Sequence, residues 1–370
     1  MSEMVRLYEY ESKDIFARTG IKMPKRHLMK DSHDVPDFIT YPFVLKTQVL
    51  TGGRGKLGGV VEVLDSEDLK TKYNTLMNLT IKGYTPKSLL IEEKVDALEE
   101  YFLALTIDRF LRRPLLIFST EGGINIEDKS ESVFKLYLNP LTKFNSEKVR
   151  SKLTRIKLDA KILDELMDFI EKCFKIMHDY DANLVEINPI VRTKGGLIAV
   201  DAHVEIDDNS IFRQEKFKDR VKEELSENEY EAKSKGMAYV ELDQEKGIGL
   251  ICNGAGLVMA TMDLIMNIGG VPANFLDVGG GADADRLYYA LNMISKKSGI
   301  DVIFINIFGG ITRCDEIAKG IIRFLEEQSF KIVIRMIGTN FKEGQQLLLE
   351  KNIKSFESLE DALEDLKNYI

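Results

Sequence analysis

The sequence predicts a mixed α/β and α+β protein of two domains, the second built on a doubly wound parallel sheet. The chain has 370 residues, more than one hydrophobic core usually organises. Residues 1–212 mix short strands with scattered helices, whereas residues 248–370 repeat a single unit. A densely charged segment lies between them, and we expect the domains to span residues 1–236 and 247–370.

The repeated unit is an apolar strand, a turn rich in glycine or asparagine, and an amphipathic helix. Its strands recur at a spacing of roughly thirty residues, which is typical of βαβ crossovers, and they read IGLICN, NFLDVG, DVIFINIF and KIVIRMIG. This alternation predicts a flavodoxin-like sheet that binds ligands at the carboxyl ends of its strands. Those ends carry small or polar residues in the segments CNGAG, DVGGGA, FGGIT and GTN.

The composition is that of an ordinary globular protein, with 44% hydrophobic and 30% charged residues. A formal net charge of −9 argues against a broad nucleic-acid-binding surface, and the apolar runs are too short to span a bilayer. Because the first residues do not resemble a secretory signal, we expect a cytoplasmic protein that binds neither nucleic acid nor membrane. Cys173, Cys252 and Cys314 are far apart and are expected to be buried free thiols.

A glycine-rich stretch, QVLTGGRGKLGGV at residues 48–60, is the first candidate ligand site. Leu57 follows the Gly-Lys pair where a Walker loop needs Ser or Thr, and a strand-like segment follows Gly58 where a dinucleotide fingerprint needs a helix. Two flanking strands instead predict a hairpin lid over a triphosphate, with Lys46 and Arg54 neutralising its charge. A plain turn is the alternative; a protein kinase is excluded because no H-R-D or D-F-G follows.

A second candidate site lies in the segment ANLVEINPIVRTKGGLIAVDAHV, which reads as two strands joined by a turn. Glu186 and Asn188 share one face of the first strand, and Asp201 lies on the second. Oxygen ligands from Asn188 and Asp201 suit Mg²⁺, which completes its shell with phosphates and water. A solvated polar face is the alternative reading, and His203 is expected to be a hydrogen-bonding or surface residue.

Seven segments in order resemble the β subunit family of succinate–CoA ligase (succinyl-CoA synthetase), which joins an ATP-grasp domain to a CoA-ligase domain. They are EYESKDIFARTGI, VLKTQVLTGGRGKLGGV, STEGGINIE, LVEINPI, NGAGLVMATMDL, PANFLDVGGGA and NIFGGITRCDEIAKGI. The resemblance implies phosphoryl transfer from ATP to a histidine, then to succinate, whose acyl phosphate is attacked by CoA. It also implies that a separate α subunit carries that histidine and the main CoA site.

The resemblance assigns roles to individual residues of this chain. It implies phosphate contacts from Lys46 and the Gly53-Arg54-Gly55 turn, with Glu92 near the adenine and Glu100 near the ribose. Asn188 and Asp201 match the family's magnesium ligands, and Glu186 matches a glutamate that meets the phosphohistidine. The implied substrate-side residues of the second domain are Asn253, Gly310, Ile311 and Thr312.

Three positions depart from the family pattern or bear on its variants. Asp201-Ala202-His203 lacks the usual lysine, and Leu50 replaces a frequent histidine. Pro24 aligns with a family proline that accompanies the use of ATP, so the resemblance favours ATP as the nucleotide, with GTP as the alternative. A malate–CoA ligase β subunit and a non-catalytic nucleotide-binding subunit remain alternatives, whereas a carboxylate–amine ligase would lack the second domain.

Overall fold

The computed structural model describes residues 4–122, 133–139, 144–220, 225–242 and 246–370. The chain divides into two compact units, Met1–Val221 and Lys222–Ile370. The family segment STEGGINIE lies largely outside the described residues. In the described part of the chain, no helix combines the length and apolarity needed to cross a membrane.

The described part of the first unit forms two antiparallel sheets. The larger has the strand order β1-β11-β9-β6-β7-β8, with β10 paired to β9, and the smaller has the order β2-β5-β3-β4. The strand bounds are β1 Met4–Arg6, β2 Arg26–Met29, β3 Phe43–Thr47, β4 Val60–Val63, β5 Leu89–Glu93, β6 Glu99–Asp108, β7 Arg113–Ser119, β8 Phe134–Tyr137, β9 Ala182–Thr193, β10 Gly196–Ala199 and β11 His203–Asp207.

Helices cover these sheets through apolar faces. Helix Ala160–Asp179 places a leucine-, isoleucine- and phenylalanine-rich stripe against the larger sheet, where Phe169 and Ile170 are buried with Phe16 of helix Glu9–Thr19. Two more helices of the described residues are Ser66–Met77, which packs on the smaller sheet, and Ser146–Leu153. The first unit therefore has two cores, one for each sheet.

The second unit confirms the predicted doubly wound sheet. Its strand order is β12-β14-β13-β15-β16-β17, and all pairs are parallel except β12 with β14. The bounds are β12 Ala238–Glu241, β13 Gly247–Cys252, β14 Asn274–Asp277, β15 Ile300–Gly309, β16 Lys331–Gly338 and β17 Ser355–Phe356. The helices are Glu227–Ser234, Ala255–Asn267, Ala284–Ser295, Cys314–Glu327, Phe341–Glu350 and Leu359–Leu366.

Separate apolar clusters lie on the two faces of this parallel sheet. Helices Ala284–Ser295 and Cys314–Glu327 bury one face, and helices Ala255–Asn267 and Leu359–Leu366 bury the other. Coverage of both faces explains why β15 is an almost continuous run of Val, Ile and Phe. The edge strand β12 was not anticipated, because AYVE is short and lies in the charged segment read as a connection.

Candidate active site

The glycine-rich stretch joins two antiparallel strands, as the sequence predicts. Lys46 of β3 lies opposite Val60 of β4, and Thr47 closes the base of the loop by donating its N–H to the Gly59 carbonyl at 2.8 Å. Within the loop, the Arg54 carbonyl accepts N–H bonds from Leu57 at 3.1 Å and Gly59 at 2.8 Å. The loop is thus a closed hairpin in which Arg54 is buried rather than exposed.

Lys46 meets a set of partners that the sequence did not reveal. Its ammonium lies 3.0 Å from Glu9 Oε1 and 2.5 Å from Glu92 Oε2, and it donates to the Val200 carbonyl at 2.6 Å. Lys13 has the same three partners: Glu9 Oε1 at 2.9 Å, the Val200 carbonyl at 2.7 Å, and Glu92 in a close ion pair. Two lysines therefore share two carboxylates and one carbonyl.

Arg54 joins the same cluster from the glycine hairpin. Its guanidinium pairs closely with Glu9, lies 3.0 Å from Asp201 Oδ1, and donates to the Thr47 carbonyl at 2.9 Å. We call the whole group the charge cluster, and it contains three cations and three carboxylates: Lys13, Lys46, Arg54, Glu9, Glu92 and Asp201. Its formal charges balance, so the site needs no bound ion to be neutral.

Burial and mutual attraction oppose each other in this cluster. Burial favours the neutral form of Glu9, but Arg54, Lys13 and Lys46 overcome it and hold the pKa of Glu9 well below its usual range. Burial likewise disfavours charged Lys46, yet Glu9 and Glu92 raise its pKa above the ordinary value. Glu9 and Lys46 are therefore ionised at neutral pH.

The predicted metal residues lie side by side in the strand ladder. The β9–β10 register pairs Ala199 with Ile190, and the β9–β11 register pairs His203 with Glu186. These two pairings belong to one continuous antiparallel register, which puts Asp201 opposite Asn188 in the short gap between β10 and β11. Hard oxygen donors from two adjacent positions fit Mg²⁺, which needs few protein ligands.

The immediate surroundings agree with a magnesium site that is completed by ligand oxygens. Asp201 keeps 38% of its side chain exposed although Arg54 contacts it, so an ion has access to the carboxylate. In the described ranges, no three His, Cys, Asp or Glu side chains are grouped as a metal site.

His203 is a hydrogen-bonding residue, as the sequence predicts. Its Nε2 lies 3.1 Å from Glu205 Oε1. Burial alone would lower the pKa of His203, but the hydrogen bond and charge of Glu205 raise it above its ordinary value. The carboxylate, in turn, is buried and also pairs with Arg6 at 3.4 Å.

In the second unit, the predicted substrate-side residues meet where parallel strands end. Asn253 follows β13, donates to the Phe308 carbonyl at 2.9 Å and accepts the Phe308 N–H at 2.8 Å. Thr312 is 1% exposed, and its Oγ1 accepts from Gly281 N–H at 3.0 Å and lies 3.3 Å from Asn253 Nδ2. Asn253 and Thr312 thus tie three strand-end loops together.

The neighbouring positions present a different surface. Ile311 is 83% exposed and Gly310 is exposed beside it. The following helix begins at Cys314, whose N–H donates to the Thr339 carbonyl at 2.9 Å, so one first-turn donor is already satisfied within the protein. Gly310 and Ile311 are thus the exposed residues of this turn, whereas Thr312 is buried.

The structure brings together four of the predicted nucleotide and metal residues, namely Lys46, Arg54, Glu92 and Asp201. Glu100 is exposed at the start of β6, and Glu186 is half-buried on β9. Sequence reasoning missed Glu9 and Lys13, although both belong to the first family segment. Their four-residue spacing usually indicates a solvated helical ion pair, and nothing local shows that both side chains are buried.

Comparisons with known proteins identify the family of each part of the chain. The ATP-grasp domain family matches residues 6–192, and the CoA-ligase family matches residues 251–368. The chain is 41% identical to the β subunit of ADP-forming succinate–CoA ligase from Ignicoccus hospitalis, with 98% of each chain covered. It is 39% identical to the β subunit of the GDP-forming enzyme from Thermus thermophilus, with 94% of each covered.

A solved structure shows the same fold over the whole chain. ATP citrate lyase from Methanothrix soehngenii, in complex with citrate and coenzyme A, matches with a TM-score of 0.78 and 22% identity, covering 100% of both chains. Fold and sequence together define an acid–thiol ligase made of an ATP-grasp domain followed by a CoA-ligase domain. The chain belongs to the family of succinate–CoA ligase β subunits.

Proposed function

We propose that this chain, paired with an α subunit, forms succinyl-CoA, ADP and phosphate from succinate, CoA and ATP. The observation that carries the proposal is the convergence of Lys46 and Arg54, from the glycine hairpin, with the distant Asp201 in one largely buried cluster. Phosphoryl transfer depends on positioned cations around the transferred group, and this cluster supplies them. The family membership gives the acid and the thiol acceptor.

Each predicted site residue of the first unit has a definite task in this proposal. Arg54 and the backbone of Gly53 and Gly55 bind phosphate oxygens from the hairpin, and Lys46 binds them from the strand behind. Asn188 and Asp201 hold Mg²⁺, which supplies charge neutralisation and orientation for the phosphates when bound. Glu100 flanks the nucleoside, Glu92 orients Lys46, and Glu186 faces the phosphate acceptor.

The burial of Glu92 narrows its proposed task. Its carboxylate is 1% exposed and pairs with Lys13 and Lys46. A carboxylate in that environment orients the phosphate-binding lysine more directly than it reads an adenine edge. Glu100, which is exposed, is the better placed of the two glutamates to reach a ribose hydroxyl.

The phosphate acceptor is proposed to be a histidine of the α subunit. All four histidines of this chain are described, and their places argue against that task. His27 lies 3.0 Å from Asp34, His203 lies 3.1 Å from Glu205, and His33 and His178 are exposed on a turn and near a helix end. These places support an acceptor histidine that comes from outside this chain.

A phosphoryl-transfer experiment tests this function. The chain is co-purified with its α subunit and incubated with Mg²⁺ and [γ-³²P]ATP, and label is followed to the α chain. We expect acid-labile, base-stable label on an α histidine, which disappears when succinate and CoA are added. An unlabelled α chain in the presence of metal would contradict the catalytic function.

Product analysis of the same complex identifies the acid and the nucleotide. Succinate is expected to give an acyl-CoA and malate none, and turnover of malate in its place would move the chain to the malate–CoA ligases. ATP is expected to be used in preference to GTP. The relatives include β subunits of both ADP-forming and GDP-forming enzymes, so the two nucleotides are compared at equal concentration.

A further inference from the structure

Lys13 is a fully buried lysine of the charge cluster. It lies on helix Glu9–Thr19, its side chain is 0% exposed, and its ammonium contacts Glu9, Glu92 and the Val200 carbonyl. A lysine ammonium has three N–H donors, so these partners use its full capacity. Burial lowers the pKa of Lys13 against the attraction of Glu9 and Glu92, so this charge depends on those two carboxylates.

Lys46 is also buried in the charge cluster, but it is the lysine proposed to bind nucleotide phosphate. It also contacts three acceptors, and they are the same three groups. To bind a phosphate oxygen, Lys46 must release at least one of them. A buried carboxylate released without another cation beside it would be strongly destabilised.

The partners released by Lys46 keep a cation because Lys13 touches every one of them. Glu9 Oε1 lies 2.9 Å from Lys13 and 3.0 Å from Lys46, so the same oxygen serves both lysines. The shared carbonyl belongs to Val200, the residue before the proposed metal ligand Asp201. Lys13 thus holds the backbone at Asp201 while Lys46 changes partners.

We infer that Lys13 is a positioning residue, a resident counter-cation that allows Lys46 to exchange a carboxylate for nucleotide phosphate. The inference rests on the proposed nucleotide site and deepens it. Lys13 acts through Glu9 and Glu92 and does not contact the nucleotide. Because the charge cluster is balanced, loss of Lys13 leaves it with an extra negative charge, and loss of the Glu9 charge leaves it with an extra positive one.

The two charge changes predict opposite effects on nucleotide affinity. Binding of Mg-ATP to the full chain in its complex with the α subunit is measured by titration calorimetry, with thermal unfolding recorded for every variant. Lys13→Met is expected to weaken binding about tenfold or more, because Lys46 becomes the sole cation beside Glu92 and shares Glu9 with Arg54 alone. Glu9→Gln is expected to bind Mg-ATP more tightly than the wild type, although it unfolds at a lower temperature.

The double variant and a matched control separate charge compensation from packing. Glu9→Gln with Lys13→Met restores the charge balance, and its affinity is expected to return to within about threefold of the wild type. Glu11→Gln is the control, because Glu11 is a buried carboxylate of the same helix that pairs with Arg220 at 3.0 Å, outside the cluster. Its affinity is expected to stay unchanged.

Three results would overturn the inference. They are wild-type affinity in Lys13→Met, weakened binding in Glu9→Gln, or a folded double variant that binds no better than Lys13→Met. If Lys13→Met does not fold, the affinity of Glu9→Gln for Mg-ATP still tests the inference. A wild-type complex that does not bind Mg-ATP would overturn the proposed nucleotide site as well, whereas a binding wild type with an unaffected Lys13→Met overturns the role of Lys13 alone.

Discussion

Substitution of Gly59 by alanine tests whether the base of the glycine hairpin is as tightly packed as the structure shows. A Cβ at this position would lie 2.5 Å from Thr47 Oγ1, 2.7 Å from Ile81 Cδ1 and 3.1 Å from the Arg54 carbonyl oxygen. Thr47 is fully buried and Ile81 is nearly so, so neither side chain has free space to move into. The hairpin must open slightly, and the Arg54 carbonyl must shift with it.

The expected cost follows from this overpacking. Extra atoms in a packed site cost about 1–3 kcal/mol, and in a unit of this size that lowers the melting temperature by roughly 2–10 °C. Gly55→Ala is the matched control in the same loop, since a Cβ there meets no described atom within 4 Å. Because alanine restricts the unfolded chain, Gly55→Ala is expected to change stability by no more than about +1 kcal/mol.

Differential scanning calorimetry of the two variants measures the contrast, and Mg-ATP titration follows the effect on ligand binding. Gly59→Ala is expected to lose both stability and affinity, because Arg54 is displaced. Gly55→Ala is expected to keep its stability and lose affinity, because its methyl group covers backbone that is proposed to approach phosphate. A Gly59→Ala protein that melts with the wild type would refute the packing argument.

Further predictions concern the second unit and the thiols. Arg313 and Asn340 hold the pKa of Asp315 at about 2. The depressed pKa stabilises the fold above the unfolded value near pH 4. The difference in unfolding free energy between wild type and Asp315→Asn, up to about 1 kcal/mol at neutral pH because solvent screens the Arg313 pair, is therefore expected to shrink as pH falls from 4 to 2 in acid-titrated denaturant melts. A shrinkage centred above pH 5 would contradict it. Asn274 donates to the Leu250 carbonyl at 2.8 Å and accepts the Leu250 N–H at 3.0 Å. Because Asn274→Ala removes both hydrogen bonds in the core, it is expected to lower the free energy of unfolding in urea by about 2–4 kcal/mol. A change near zero would be inconsistent with that burial. All three cysteines are buried, and burial raises the pKa of Cys252 to about 12, so a thiol-reactive dye at pH 8 is expected to label the protein after unfolding, whereas rapid labelling of the native protein would contradict their burial.

The sequence determines the architecture of the second unit almost completely. In β15 and β16, largely apolar runs end in glycine and are followed by amphipathic helices, and this local pattern predicts a parallel sheet covered on both faces. The edge strand β12 could not be predicted from the sequence, because its four residues lie between charged segments and are too few to show the alternation of a strand. Its place is decided by pairing with β14, which is a tertiary contact.

The glycine hairpin is a site feature that the local sequence predicts well. Leu57 and the strand after the loop exclude two familiar phosphate motifs, and the flanking strands identify the hairpin and its inward cation Lys46. The adjacency of Asn188 and Asp201 could be predicted from their shared β-hairpin, because the turn sets the strand register locally. These inferences needed only spacing along the chain.

The partners of those residues depend on the fold. Glu9 and Lys13 show the spacing of a surface ion pair, yet the packing of the first helix buries both beside Lys46 and Arg54. Glu92 looks like an exposed end of an apolar strand, yet it is buried between two lysines. The sequence by itself determined which groups carry the charge and on which elements they lie. The tertiary structure decided which of them meet, because burial and long-range pairing bring together residues 9, 46, 92 and 201, which no local pattern connects.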